Sequence, residues 1–282
     1  MKIICTKKGF IFEDKYYLEL INSNHSIYEV IRVIDGIAIF LEDHFIRLKQ
    51  SMKIQQISFV MDYAEFKMNV NKLIHLNQID EGNIKFVYAI YGRKGQWVFA
   101  FIPHSYPNFV DYEFGVTSDL LYAERENPNA KVIQNSVRDS ANQMILEHKL
   151  YEVLLVNGNG LITEGSRSNV FFIRDEVFYT APASLVLVGI TRNKILECLK
   201  NLDYPIIEEA VKASEINQFE AVFLTGTSPK VLPVKSIGNL IYNTKLLHVK
   251  KLITKYNMVI SQYIQKIKIS DELYGLKTES EF

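Results

Sequence analysis

Residues 161–172 read Leu161-Ile162-Thr163-Glu164-Gly165-Ser166-Arg167-Ser168-Asn169-Val170-Phe171-Phe172. One acid, one glycine and a short run of small polar residues separate two apolar runs. This pattern is typical of two short strands joined by a polar loop, and it is unfavourable for a continuous core. We therefore interpret the segment as a candidate site between two strands, with Glu164 as its acid.

The composition limits the class of protein. The chain has 282 residues, which allows one or two domains, and 48% of them are hydrophobic. Lys plus Arg and Asp plus Glu each number 32, so the net charge is zero. This balance gives no support for a nucleic-acid or anionic-membrane partner.

The sequence also argues against a metal site, a disulfide framework and a membrane span. Cys5 and Cys198 are the two cysteines and lie far apart in the chain. The apolar start at Ile3 is cut short by Lys7 and Lys8, and no apolar run reaches the ~18 residues that a bilayer requires. We expect a cytoplasmic protein that binds no metal.

Strand and helix signals cluster rather than alternate strictly. Predicted strands are Lys2–Thr6, Phe10–Glu13, Tyr28–Ile34, Ile37–Leu41, Ile84–Tyr91, Gln96–Pro103, Val153–Val156, Leu161–Thr163, Val170–Ile173, Val177–Thr180 and Ala221–Leu224. Predicted helices are one capped by Asp43 and ending near Lys53, one from Asp62 to Leu76, and Asn135–Lys149, Thr191–Leu202 and Lys245–Gln265.

A polar segment with a proline at residues 124–129 predicts a domain boundary. We expect an α+β fold with an N-terminal domain at 1–123 and a C-terminal domain at 124–282. A cleft between two such domains is a common place for a cofactor.

Five ordered elements between about Ser26 and Lys251 resemble the class IV (fold type IV) pyridoxal-phosphate enzymes. These include the branched-chain and D-amino-acid aminotransferases and aminodeoxychorismate lyase. The elements are the segment 161–172, the lysine in Ala130-Lys131-Val132-Ile133, Leu187-Val188-Gly189-Ile190-Thr191-Arg192, Arg47-Leu48 and Leu224-Thr225-Gly226-Thr227-Ser228. The resemblance implies a two-domain fold type IV enzyme with pyridoxal 5'-phosphate between a smaller N-terminal and a larger C-terminal domain.

The resemblance assigns the reactive groups. Glu164 would face the pyridine nitrogen, with Asn169 as a supporting residue near the ring. Lys131 would bind the cofactor covalently, because it precedes Glu164 by nearly the family's spacing. Lys149 is the rival lysine, but it ends a predicted helix. The pair Tyr151-Glu152 also resembles a Tyr-Glu pair of the D-amino-acid enzymes.

The same resemblance assigns the residues that bind the cofactor phosphate and ring. Leu187 would pack on the ring, and Gly189, Ile190 and Thr191 would offer a helix N-terminus to the phosphate. Arg47 and Thr227 would complete the phosphate site.

The substrate residues implied by the resemblance are Tyr28, Arg32 and Ser228. Several positions depart from the family pattern. Ser23 stands where a pocket tyrosine is common, and Val30 replaces the threonine typical of the lyases. Tyr91-Gly92 replaces an Arg-Gly pair, which leaves Arg93 or Lys94 as alternative carboxylate anchors.

Three functions stay open at this point. The first is an aminotransferase for an apolar, for example branched-chain, amino acid and a 2-oxo acid. The second is an aminodeoxychorismate lyase that releases pyruvate, which Val30 disfavours. The third is a non-catalytic dimeric module with a degenerate site, against which the complete set of Lys131, Glu164 and Arg47 argues. A homodimer is expected from the resemblance alone.

Overall fold

The computed structural model describes residues 2–21, 26–91, 94–125, 128–132 and 135–279. Two β-sheets carry helices between their strands, which confirms the predicted α+β class. No helix among these residues is both long and apolar enough to span a membrane.

The first sheet has six antiparallel strands in the order β2-β1-β6-β5-β3-β4. Its strands are β1 (Ile3–Thr6), β2 (Gly9–Phe12), β3 (Ile27–Ile34), β4 (Ile37–Ala38), β5 (Gly82–Tyr91) and β6 (Lys94–Ile102). The helices of this half are α1 (Lys15–Ile21), α2 (Leu41–Ile54) and α3 (Tyr63–Asn77).

The second sheet has nine strands. Eight follow the order β12-β11-β10-β13-β14-β7-β8-β9, and β15 pairs with β14. The strands are β7 (Val116–Tyr122), β8 (Glu152–Val156), β9 (Ile162–Gly165), β10 (Asn169–Arg174), β11 (Val177–Tyr179), β12 (Ile206–Ile207), β13 (Ala221–Gly226), β14 (Lys230–Ile237) and β15 (Leu240–Ile241). The helices are α4 (Phe109–Phe114), α5 (Asn135–His148), α6 (Ile190–Asn201) and α7 (Leu247–Glu279).

Local signals in the sequence predicted several elements correctly. The turn between β3 and β4 is Asp35-Gly36, and both residues have positive φ, as a tight hairpin turn requires. Asp62 caps α3 by accepting a hydrogen bond from the Glu65 amide at 2.8 Å. The segment 161–172 forms β9, a loop and β10, as predicted.

The predicted start of α2 is wrong. The helix is preceded by Phe40, not capped by Asp43, which lies in its first turn. Phe40 has φ 53, an uncommon conformation for a bulky residue. Its ring is buried and packs edge-on against Tyr263 of α7 at 5.0 Å. Tertiary packing, rather than a side-chain cap, therefore determines where this helix begins.

The change from one sheet to the other comes earlier than the predicted boundary at residue 123. Strand β6 ends at Ile102, and β7, from Val116, already pairs in parallel with β8 and β14 of the second sheet. Strand β7 was not predicted, and neither were α1, α4 and β14. The division of the chain into independent domains stays a prediction.

Strand pairing brings the parts of the candidate site together. In the register of β10 and β13, Asn169 lies opposite Thr225. In that of β8 and β9, Gly165 lies opposite Leu154. The loop between β9 and β10 therefore lies at the same end of the second sheet as the C-terminal end of β13.

Candidate active site

A cavity of about 450 Å³, here called the central cavity, is lined by residues from both sheets. The first sheet contributes Tyr28, Val30 and Asn83, and the second contributes residues around Glu164 and Thr225. This volume is in the range of ligand pockets. Among the predicted site residues, Tyr28, Arg47, Glu164, Asn169, Leu187, Gly189, Ile190, Thr191, Thr227 and Ser228 line it.

Glu164 is a buried carboxyl with few partners. Its Oε2 accepts hydrogen bonds from the Leu187 amide at 3.2 Å and from Asn169 Nδ2 at 3.4 Å. Its Oε1 lies 3.5 Å from Arg125 Nε. Burial raises its pKa to about 7, more than Arg125 and the Leu187 amide lower it. This carboxyl is therefore ready to pair with a further donor or cation.

Lys131 lies beside the central cavity, although it is not one of its lining residues. Its amide donates to Ser51 Oγ at 3.2 Å, and its carbonyl accepts from the Tyr28 amide at 3.1 Å. Its Nζ lies 4.7 Å from the centre of the Tyr28 ring. Burial lowers the pKa of this amine more than the neighbouring Tyr28 raises it, and Arg47 lowers it further. A larger share of the amine is therefore unprotonated and nucleophilic.

The N-terminus of α6 opens onto the central cavity. The residue before the helix is Gly189, which has no side chain to cap the first amides, and no other described side chain bonds to them. A Cβ at Gly189 would come within 2.2 Å of Asn169 Oδ1, so no larger residue fits there without a shift. Asn169 Nδ2 also donates to the Leu187 carbonyl at 2.9 Å. Uncapped helix amides form a ready site for an anion.

Arg47 is held in place by a buried acid. Glu29 is fully buried and accepts hydrogen bonds from Arg47 Nε at 2.8 Å and from Arg47 Nη2 at 2.6 Å. His44 Nδ1 lies 2.7 Å from the same carboxylate. Burial raises the pKa of Glu29, but Arg47 and His44 outweigh it and lower the pKa to about 2. Glu29 thus fixes the direction in which Arg47 faces the cavity.

The loop after β13 is fastened to the first sheet. Arg32 Nη1 donates a hydrogen bond to the Ser228 carbonyl at 2.8 Å, and Asn83 Nδ2 donates one to Ser228 Oγ at 3.0 Å. The Arg32 guanidinium stacks on the Tyr106 ring at 3.8 Å. Arg32 lines a small neighbouring cavity with Thr227, and not the central cavity. The predicted substrate residue Arg32 is therefore placed to hold the loop.

Sequence analysis assigned no role to four residues of the site. Arg125, Arg138 and Glu152 line the central cavity, and so does Thr225, whose buried Oγ1 has no hydrogen-bond partner among the described residues. The sequence drew attention to Glu152 only as part of a Tyr-Glu pair. Arg125 and Arg138 carry no local signal, because a loop and a distant helix bring them to the cavity.

Other predicted positions cannot be placed. Ser23, Gly92 and Arg93 lie outside the described residues, as do the side chains of Tyr91 and Lys94. Within the described ranges, no group of three or more His, Cys, Asp or Glu residues could hold a metal ion. Cys5 and Cys198 are both free and buried.

The residues around the central cavity fit pyridoxal phosphate. The amides at the start of α6 and the hydroxyl of Thr225, which has no hydrogen-bond partner within the described part of the chain, could donate to a phosphate. A protonated pyridine nitrogen would stabilise the ionised form of Glu164, whose pKa burial raises. Lys131 supplies an amine with a lowered pKa. Arg47, Asn169, Leu187 and Thr227 could complete the binding of the group.

Comparison with known sequences agrees with this chemistry. The family model for amino-transferase class IV matches residues 26–237. A D-alanine aminotransferase of Bacillus licheniformis is 30% identical over 226 residues, which cover 75% of this chain and 78% of that protein. A probable branched-chain-amino-acid aminotransferase of Thermotoga maritima is 26% identical, covering 76% of this chain and 77% of that protein.

Solved structures share the fold over most of the chain. The branched-chain aminotransferase of Thermoproteus uzoniensis is 20% identical with a TM-score of 0.79, covering 94% of this chain and 96% of that chain. A putative 4-amino-4-deoxychorismate lyase of Legionella pneumophila is 21% identical with a TM-score of 0.75, covering 88% and 94%. By its fold and by the match over residues 26–237, this chain belongs to the class IV aminotransferases, a family that depends on pyridoxal phosphate.

Proposed function

We propose that the protein is an aminotransferase that moves an amino group between an amino acid and a 2-oxo acid. One observation carries the proposal. The carboxyl of Glu164 and the N-terminus of α6 line the central cavity, and the amine of Lys131 lies beside it, against the ring of Tyr28. Burial raises the pKa of Glu164 and lowers that of Lys131. Such paired shifts are typical of acid-base sites.

The cofactor is part of this proposal. Pyridoxal phosphate, when bound, would supply an electron sink for the negative charge that develops on the substrate Cα. Glu164 would hold a proton on the ring nitrogen, and Leu187 would pack on the ring. Gly189, Ile190, Thr191, Thr227 and Arg47 would bind the phosphate.

Lys131 would then act twice. Its Nζ would hold the cofactor between turnovers, and once displaced by the substrate amine it would accept the proton of the substrate Cα. Burial lowers the pKa of Lys131, so more of the free amine is available as a base near neutral pH.

The substrate we propose has an apolar side chain, with branched-chain amino acids among the candidates. Val30 and Ile102 give the central cavity an apolar wall. The relatives named above are a D-alanine and a probable branched-chain aminotransferase, so both enantiomers need testing. Val30, which stands where the lyases tend to have threonine, favours the transaminase over the lyase. A homodimer stays part of the proposal.

The decisive experiment compares two lysine variants. Lys131→Ala should abolish turnover and leave the fold intact, because the nearby Lys85 Nζ is engaged by the Ile21 carbonyl at 2.6 Å. Lys149→Asn is the matched control, since Lys149 is exposed with φ 53, a conformation that asparagine tolerates. The readout is the absorbance band of the loaded protein during additions of L-leucine, L-glutamate and D-alanine. Normal turnover by Lys131→Ala would overturn the assignment.

The same assay separates the lyase. An aminotransferase loses its band with an amino acid and regains it only when a 2-oxo acid is added. Pyruvate release from aminodeoxychorismate, with the band returning unaided, would instead indicate the lyase. A protein that binds no cofactor would support the non-catalytic module.

A further inference from the structure

Three cations surround the ring of Tyr28. The Nζ of Lys131 lies 4.7 Å from the ring centre, the Nζ of Lys85 lies 5.5 Å away, and the Cζ of Arg138 lies 5.5 Å away. Among the described residues, no ion pair joins any of these three cations to a carboxylate. These three cations are therefore close to one another without a carboxylate of the described residues in direct ion-pair contact.

The phenol of Tyr28 responds to this charge. Burial alone would raise its pKa, yet Lys131, Arg138 and Arg125 lower the pKa of Tyr28 to about 7. Lys85 is less available to a ligand, because its Nζ donates to the Ile21 carbonyl at 2.6 Å and is buried. Arg138 is half-buried and lines the cavity. The group best placed to meet an anion is thus Arg138.

Arg138 has donors to spare. Its Nη2 donates a hydrogen bond to the Tyr28 hydroxyl at 3.0 Å, and the Arg138 side chain makes no other hydrogen bond to the described residues. A guanidinium offers several N–H groups in a planar fork that matches a carboxylate. The Tyr28 hydroxyl adds one donor in its protonated form, so binding should be strongest below about pH 7. Lys131, the proposed base, contacts the same ring, so an anion held here lies close to the reacting atoms.

We propose that Arg138 of α5 and Tyr28 of β3 form the binding site for a carboxylate group of the substrate. The inference rests on the proposed function for the identity of the substrate, but not for the binding of a carboxylate. Two sources share this chemistry, the α-carboxylate of every amino acid and the side-chain carboxylate of an acidic one.

The test is calorimetric binding of propionate and glutarate to the cofactor-loaded protein and to two arginine variants. Arg138→Met keeps an unbranched apolar stem and removes the charge and the fork, so binding should weaken roughly 10- to 100-fold. Arg174→Met is the matched control, because Arg174 stacks on Tyr179 and Phe219 and is not among the residues lining the central cavity. Its affinity for both acids should equal that of the wild type.

The two acids separate the two sources. Equal losses for propionate and glutarate assign the α-carboxylate, and a loss for glutarate alone assigns the side-chain carboxylate. Steady-state kinetics with alanine and glutamate, in both enantiomers, should show the same pattern mainly in KM. Tyr28→Phe combined with Arg138→Met should cost less than the product of the two single effects, because the two groups act together.

Some outcomes would overturn the carboxylate site. These are wild-type affinity in Arg138→Met, or a wild type that binds neither acid. Arg138→Lys keeps a charge at this position and should recover part of the affinity, which separates loss of the site from loss of the fold. If the wild type transfers no amino group while Arg138→Met still weakens glutarate binding, the proposed function fails and the carboxylate site stands.

Discussion

Glu29 and Glu164 are both buried at the central cavity or beside it, yet their pKa values are shifted in opposite directions. Glu29 has two strong partners, Arg47 and His44, and its pKa falls to about 2. Glu164 accepts a hydrogen bond from one backbone amide and a long one from Asn169, and it lies 3.5 Å from Arg125. Its pKa rises to about 7. Burial is nearly the same for the two side chains, so the supply of donors decides their charge.

The difference separates a structural acid from a reactive one. Glu29 is satisfied by the protein and orients Arg47 permanently. Glu164 is left short of donors by the protein, so a ligand that supplies a donor or a cation gains from pairing with it.

The largest expected effect is on stability, from Glu29→Gln. This variant leaves Arg47 buried with a neutral partner, which should lower the free energy of unfolding by about 3–5 kcal/mol. Urea unfolding of the cofactor-free protein measures it. Glu19→Gln, at an exposed pair with Lys15, is the control and should change stability by less than about 0.5 kcal/mol. Equal, small losses in both variants would mean that the Glu29 pair is not needed for stability.

The second effect is a pH dependence with opposite signs at the two acids. Between about 4.5 and 7 the native Glu164 holds a proton that the unfolded chain has released. The free energy of unfolding should therefore fall by up to about 3 kcal/mol as pH rises through this window. Glu29, with its lowered pKa, adds stability that is present above about pH 4.5 and is lost as pH falls towards 2.

Subtracting the unfolding curve of Glu164→Gln from that of the cofactor-free wild type isolates the Glu164 contribution. Glutamine does not titrate, so its own curve should lack the decline between pH 4.5 and 7. A difference curve that is flat in this window would show that Glu164 ionises normally.

The third effect is on turnover. Glu164→Gln should reduce kcat by about a hundredfold, because a neutral amide stabilises a protonated ring nitrogen far less than a carboxylate does. Steady-state rates with a saturating amino donor measure the loss. Glu29→Gln should act mainly on cofactor affinity, through Arg47. A kcat in Glu164→Gln equal to that of the wild type would contradict the assignment of the two acids.

The smallest effect is expected at His44. Burial lowers the pKa of His44, so its ring is neutral and donates its Nδ1–H to Glu29. His44→Asn should cost about 1.5 kcal/mol, the lower end of the range for a hydrogen bond to a charged group, because the asparagine amide can replace part of the contact. Urea unfolding checks it, and a loss as large as that of Glu29→Gln would show that His44, rather than Arg47, holds the acid.

The elements found from the sequence are those with strong local signals. The Asp35-Gly36 turn and the Asp62 cap act over a few residues, and both were predicted. Strand β7 forms by parallel pairing with β8 and β14, which no local pattern reveals. Strand β14 contains Pro233, a residue that argues against a strand interior.

The candidate site likewise combines residues in local motifs with residues that only the packing of distant elements brings together. Glu164, Asn169 and Gly189 could be located because they belong to compact motifs, and the structure places them together. Arg138 reaches Tyr28 from 110 residues away, and Arg47 meets Glu29 from 18 residues away. Such contacts depend on the packing of whole elements, so single-sequence reasoning assigned no role to Arg138 or Glu29.

Glu152 has a consequence for the order in which the site assembles. From β8, its carboxylate accepts hydrogen bonds from Ser166 Oγ at 2.6 Å, Ser168 Oγ at 2.9 Å and the Arg167 amide at 3.1 Å. The loop that follows Glu164 therefore lacks its internal support until β8 has paired with β9. Loop closure between distant segments is slow compared with turn formation. Glu164 therefore acquires its final position only after the second sheet has formed, and a ligand that requires this geometry would be bound late in folding.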